Sequence, residues 1–114
     1  MAELTVLYDE GCGFCTRTAL RVARPPRVVV APIGSELGSV LLRDLTTEER
    51  YAAAHVVDAM GRRSSGGAVL GPLARTFPAG EPLAAVFEAL PRVTERLYGL
   101  VARNRGLISR MTRL

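Results

Sequence analysis

Apolar and polar positions along this chain change period several times, and each change predicts an element. Leu4-Thr5-Val6-Leu7-Tyr8 is a short apolar run of the kind that forms a buried strand. A polar, glycine-containing stretch follows, and then Cys15, Ala19, Val22 and Ala23 recur at helical spacing while Arg17, Arg21 and Arg24 line another face. Pro25-Pro26 ends this helix, because proline lacks the next N–H and disfavours helical geometry in the residue before it. Arg27 to Ala31 contains three consecutive valines and predicts a second buried strand. Strand, helix and strand within about thirty residues make a βαβ unit with parallel strands and a right-handed crossover.

Pro32-Ile33-Gly34 reads as a turn, and Ser35 as the cap of a short helix reaching Arg43 with Leu37, Val40 and Leu41 on its buried side. Thr46 or Thr47, with Glu49 or Arg50, begins another helical stretch. Ala54 to Asp58 predicts a third strand, and Ala59-Met60-Gly61 a tight turn into a fourth, antiparallel strand near Arg62 to Ser64. Gly66-Gly67 then opens a helix over Ala68 to Phe77 that Pro78-Ala79-Gly80 breaks. The final third is helical: Leu83, Val86, Phe87 and Leu90 share one face, expected to be buried, and Val93, Leu97, Leu100 and Val101 lie on a helix beyond Pro91. Leu107, Ile108, Met111 and Leu114 predict a last amphipathic turn or two with arginines opposite.

Composition adds bounds to this pattern. At 114 residues and 48% hydrophobic content, the chain is expected to form one domain, 1–114, with a core over about 1–78 and C-terminal helices over about 82–114. The N-terminus shows no charged leader and no window approaches the roughly 20 apolar residues of a membrane span, so the expectation is a soluble, cytoplasmic protein. All 15 basic residues are arginines, and the net charge of +4 is uneven. Residues 92–114 hold six arginines and one acid, +5, against nine arginines and ten acids elsewhere, −1. A basic tail suits a peripheral contact with an anionic membrane or an acidic protein, although arginines opposite a packed face are commonly just solvated. Tyr98 is the only aromatic residue after Phe87, so no stacking platform for nucleic acid is present and no nucleic-acid partner is expected.

The candidate chemistry lies between the first strand and the first helix, at Cys12-Gly13-Phe14-Cys15. The first turn of a helix carries unpartnered N–H groups and a partial positive charge, which favour a thiolate there. Two intervening residues let the second thiol reach the first, as resolution of a mixed disulfide requires. Cys12 is therefore the expected attacking thiol and Cys15 the resolving one. In a reducing compartment such a pair is redox-active or metal-binding more often than a structural disulfide. A closed zinc site wants four ligands, and His55 is the only further soft ligand, so a metal site would need carboxylates or a second subunit.

Around the pair, Asp9 is either a proton acceptor for Cys15 or a cap for the turn. Gly13 and Phe14 are candidates for substrate docking on an exposed turn. Ser65, Gly66 and Gly67 offer free N–H groups at a helix start that would take the carboxylate of a low-molecular-weight thiol; the plainer reading is a turn needing positive φ. His55 reads as an ordinary strand residue.

Leu7-Tyr8-Asp9 before Cys12-Gly13-Phe14-Cys15, with Ala102-Arg103-Asn104-Arg105 near the end, resembles the DCC family of thiol-disulfide oxidoreductases, also known as domain of unknown function 393. The likeness covers nearly the whole chain and implies an α/β, thioredoxin-like fold: a mixed four-stranded sheet flanked by helices, with a helical C-terminal extension. It also implies an enzyme that exchanges its dithiol with protein or small-thiol disulfides and needs no organic cofactor or metal. Two features depart from that pattern. Glu10 stands between Asp9 and Gly11, placing a further carboxylate beside the pair, and no proline precedes the third strand at about Ala52 to Ala54, where thioredoxins bind substrate backbone. They motivate an alternative: a non-catalytic binding or adaptor module that docks a membrane or protein partner through its basic C-terminal helices.

Overall fold

The structure is a computed structural model and describes residues 3–104. Two compact units make it up, one running to Ser65 and the other beginning at Gly66.

The first unit holds the sheet. Its elements are β1 (Leu4–Tyr8), α1 (Gly13–Val22), β2 (Val28–Pro32), α2 (Glu36–Leu41), α3 (Thr47–Tyr51), β3 (His55–Asp58) and β4 (Arg63–Ser65). The strand order is β2-β1-β3-β4. β1 runs parallel to β2, with Leu4 opposite Val28 and Tyr8 opposite Pro32, as the βαβ pattern requires. It runs antiparallel to β3, with Leu7 opposite His55, and β3 pairs antiparallel with β4. The sheet is thus mixed and four-stranded, as expected. The β3–β4 hairpin closes on Asp58, whose Oδ1 accepts the N–H groups of Met60 and Arg62, both at 2.9 Å, while Gly61 supplies the positive φ of +83°.

Leu7, Ala31, Ile33, Leu42 and Val57 form a core cluster against which Leu41 and Leu45 pack. The short helices are held by their caps. Ser35 accepts the Gly38 N–H at 3.1 Å, and Thr46 with Glu49 forms a reciprocal capping box. Arg63 grips Asp44 with two parallel bonds of 2.6 and 2.7 Å, which hold the Asp44 carboxyl down at about 2. The expected buried side of α2 is corrected here. Leu37 and Val40 are exposed, and Gly38 and Leu42 are buried instead. A Cβ on Gly38 would lie 2.2 Å from the Ile33 carbonyl oxygen, so the helix approaches the end of β2 through its glycine and turns its branched residues outward.

The second unit comprises a 3₁₀ turn (Gly66–Val69), α4 (Leu70–Arg75), α5 (Glu81–Ala89) and α6 (Pro91–Arg103). The helix expected over Ala68 to Phe77 therefore begins as a tighter turn. Gly66 has φ +64°, outside right-handed helix, and Gly67 packs so close to α6 that a Cβ would lie 2.9 Å from the Glu95 Cα. Arg75 joins α4 to α5, bonding Glu81 at 2.9 Å and clasping both carboxylate oxygens of Glu88. The buried positions of α5 and α6 are Ala84 and Thr94, the latter donating its hydroxyl to the Phe87 carbonyl at 3.0 Å. The face expected to be buried is not: Leu83, Val86, Leu90, Val93, Leu97, Leu100 and Val101 are 41–53% exposed, and only Phe87 is half-buried. Helices that close on glycine, alanine and threonine leave their larger apolar residues outside. The turn expected at Leu107, Ile108, Met111 and Leu114 lies outside the described residues. Among the described residues no helix is long and apolar enough to cross a membrane.

Candidate functional site

The strand-to-helix junction after β1 is built by three short-range contacts. Asp9 Oδ1 accepts the Gly11 N–H at 2.9 Å, and the Asp9 carbonyl accepts the Cys12 N–H at 3.1 Å, which turns the chain. Cys12 is then the N-cap of α1, extended at φ −111° and ψ 115°. Its carbonyl accepts both the Thr16 N–H and the Thr16 hydroxyl, each at 3.0 Å.

A cap side chain normally accepts the N–H of the second or third helical residue, and serine or threonine does so through oxygen. Here the cap atom is sulfur. Cys12 Sγ accepts the N–H of Cys15, the third residue of α1, at 3.3 Å. The geometry that places the two cysteines one turn apart thus also points a backbone donor at the first sulfur. No acid occupies the first turn of α1. Both cysteines are in the thiol form and half-exposed, Gly13 is exposed and Phe14 half-exposed beside them. The first turn of α1 thus presents a backbone N–H to the Cys12 sulfur, and the nearest acids in the chain, Asp9 and Glu10, precede the cap.

Two further groups at the junction were not singled out by sequence reasoning. A Cβ on Gly13 would lie 3.2 Å from Arg17 Nη1, so the guanidinium rests against the first turn; the i, i+4 spacing from Gly13 to Arg17 was the available signal. The other is Tyr51. Glu10, the carboxylate that interrupts the Asp-Gly sequence, accepts the Gly34 N–H at 2.8 Å and bonds the Tyr51 hydroxyl. Its own backbone N–H, then Tyr51 and Gly34, hold the Glu10 carboxyl below the usual range, while the same contact with Glu10 pushes the Tyr51 phenol up. Glu10 accordingly ties the loop after β1 to the turn after β2.

The remaining sequence candidates sit elsewhere. Ser65 ends β4 in the row Leu7, His55, Ser65 across the sheet, about 10 Å from the end of β1 at two strand spacings. His55 is 2% exposed and fully engaged: Nε2 donates to the Arg50 carbonyl at 2.9 Å, which leaves Nδ1 to accept the Ser65 hydroxyl at 2.6 Å. Burial pushes its pKa down. Gly66 and Gly67 open the second unit, and the Gly67 N–H donates to Glu95 Oε2 at 2.9 Å. A carboxylate of the chain itself therefore occupies the donor offered by the glycine pair. Ala54 precedes β3 where thioredoxins carry their proline. Among the described residues no group of three or more His, Cys, Asp or Glu side chains is placed to hold a metal ion.

A mixed four-stranded sheet in the order β2-β1-β3-β4, with the first cysteine of a CxxC pair capping the helix after its central β1, defines a thioredoxin-like protein. The family of DCC1-like thiol-disulfide oxidoreductases matches the chain over residues 6–111, from within β1 past the end of α6. The chain belongs to this family. No curated protein and no solved structure matches it.

Proposed function

We propose that the chain is a thiol-disulfide oxidoreductase in which Cys12 is the attacking thiol and Cys15 the resolving one. The observation that carries this reading is the Cys15 N–H directed at Cys12 Sγ from the first turn of α1. The Cys12 thiolate attacks one sulfur of a substrate disulfide; a Cys12–substrate disulfide forms and the other substrate sulfur leaves as thiolate. Cys15, deprotonated, then attacks Cys12 Sγ, releasing the second substrate thiolate and closing a Cys12–Cys15 disulfide. The substrate disulfide gains two electrons and the protein dithiol loses two. A cellular thiol, by two further exchanges, returns the pair to the reduced form.

Gly13 and Phe14 form the exposed rim on which a protein disulfide or a low-molecular-weight disulfide docks, so substrate contact in this reading is with backbone and one aromatic ring. Asp9 holds the turn through Gly11, and its charge is secondary. Ser65 and Gly67 have no part in it, since their donors serve His55 and Glu95. No organic cofactor and no metal enters the cycle. Reduction of insulin or of glutathione disulfide tests the assignment. Cys12→Ser is expected to fall to the uncatalysed background, and Cys15→Ser to accumulate a mixed disulfide at Cys12. Full activity of Cys12→Ser would sink it. Asp9→Asn keeps the Oδ1 acceptor and is expected to keep most of the activity with an unchanged pH profile.

A further inference from the structure

The second unit leaves an apolar row on its surface that its own packing does not use. Leu83 and Val86 on α5, Leu90 at the break between the helices, and Val93, Leu97 and Leu100 on α6 are each about half exposed, and within each helix the spacing of three and four residues puts the apolar side chains on one face. On α6, Val101 widens the stripe. The packed side of α6 is the other one: Thr94 is buried and Glu95 meets the Gly67 N–H. Arg92, Arg96 and Arg103 lie at positions i, i+4 and i+11, forming a cationic row along one margin of the stripe.

Charge is partitioned in the same way. From Gly66 to Leu114 there are seven arginines and three glutamates, +4; the first unit has eight of each sign and is neutral. All three glutamates are used internally, Glu81 and Glu88 by Arg75 and Glu95 by Gly67. Along the half-exposed apolar face of α6 the bordering charges are the arginines Arg92, Arg96 and Arg103.

We infer that the α5–α6 face docks on an anionic lipid bilayer, with Leu83, Leu90, Leu97 and Leu100 entering the headgroup–acyl boundary and Arg92, Arg96 and Arg103 resting among the anionic headgroups. Amphipathic helices of low mean hydropathy with arginines on the polar side bind membranes in this way. Three observations favour lipid over a protein occupant. The row is purely leucine and valine, without the tryptophan or tyrosine anchors on which protein interfaces concentrate their energy. It bends at Leu90, whose φ −123° and ψ 62° are outside helix, so a straight partner helix meets an interrupted seam while a fluid surface does not. A second copy would bring two faces of like charge together.

Co-sedimentation of the full chain with phosphatidylcholine vesicles, and with equimolar phosphatidylcholine and phosphatidylserine vesicles, tests the inference. Binding is expected to the anionic vesicles, weakening as salt is raised, with little to the neutral ones. Arg96→Gln with Arg103→Gln is expected to weaken it roughly thirtyfold, at the usual contribution of a cation near an anionic surface. Leu97→Glu with Leu100→Glu is expected to abolish it while disulfide exchange stays unchanged, which shows the variant folded and separates this result from the fate of the dithiol reading. Equal binding to both vesicles, no binding to either, or a dimer in sedimentation equilibrium that Leu97→Glu dissolves would overturn the proposal.

Discussion

The two units spend their apolar residues differently. In the first, Leu7, Ile33, Leu42, Val28 and Val56 are almost wholly buried and the charges balance. In the second, the buried positions on α5 and α6 are Ala84 and Thr94, seven larger apolar residues stand half exposed, and the whole net charge of the chain is found there. A sheet with apolar residues on both faces fixes the junction from which α1 starts, and a site needing ångström placement of two sulfurs has its rigid support there. Helices that close on glycine and alanine keep their leucines available for something else. On the proposals above, chemistry belongs to the first unit and contact to the second.

Truncation should expose it most sharply. Leu42→Ala removes a fully buried side chain and is expected to cost about 2–5 kcal/mol in denaturant unfolding, whereas Leu97→Ser, at a half-exposed position, should stay within about 0.5 kcal/mol. Equal losses would mean that the α6 stripe is packed in solution. Next in size is Gly67→Ala. The added Cβ meets the Glu95 backbone, and a loss of about 1–3 kcal/mol is expected, read as a lower urea midpoint.

A pH scan gives a smaller effect, specific to the first unit. His55 is held neutral by burial, so its folded pKa is below its unfolded value of about 6.5. Its contribution is complete above that value and is lost as pH falls, because the unfolded chain takes up a proton that the folded chain refuses. The urea midpoint is therefore expected to decline as pH is lowered from about 7 through the unfolded pKa. A midpoint that rises on the same path contradicts the neutral, doubly bonded imidazole. The smallest effect expected is that of Arg17→Gln. Removing the guanidinium from the first turn should slow disulfide exchange by a few-fold without changing the unfolding midpoint.

Much of the first unit was legible in the sequence because its signals are local. A strand-length apolar run, two cysteines and a helical period place the CxxC pair at a helix start whatever else the chain does, and Ser35 and Thr46 announce their helices through the N–H groups they cap. The hairpin was equally plain from Asp58 to Gly61. What could not be read was depth. Spacing says that Leu37 and Val40, or Leu83, Val86 and Leu90, share a face, but only tertiary contact decides whether anything covers it. At α2 and at the 3₁₀ turn the decision fell to Gly38 and Gly67, where the backbone itself is the packing surface. Glu10 was legible as a charge beside the cysteines and illegible as a clamp, because Gly34 and Tyr51 reach it from 24 and 41 positions further along the chain.

The most direct test of the central claim is equilibration of the wild-type chain in glutathione buffers of graded composition, followed by acid quenching and intact-mass measurement. The account predicts one two-electron transition, with the Cys12–Cys15 disulfide as the oxidised product and a potential inside the range of about −270 to −120 mV spanned by dithiol oxidoreductases. Glutathione adducts on one or both cysteines, with no internal disulfide at any composition, would contradict it.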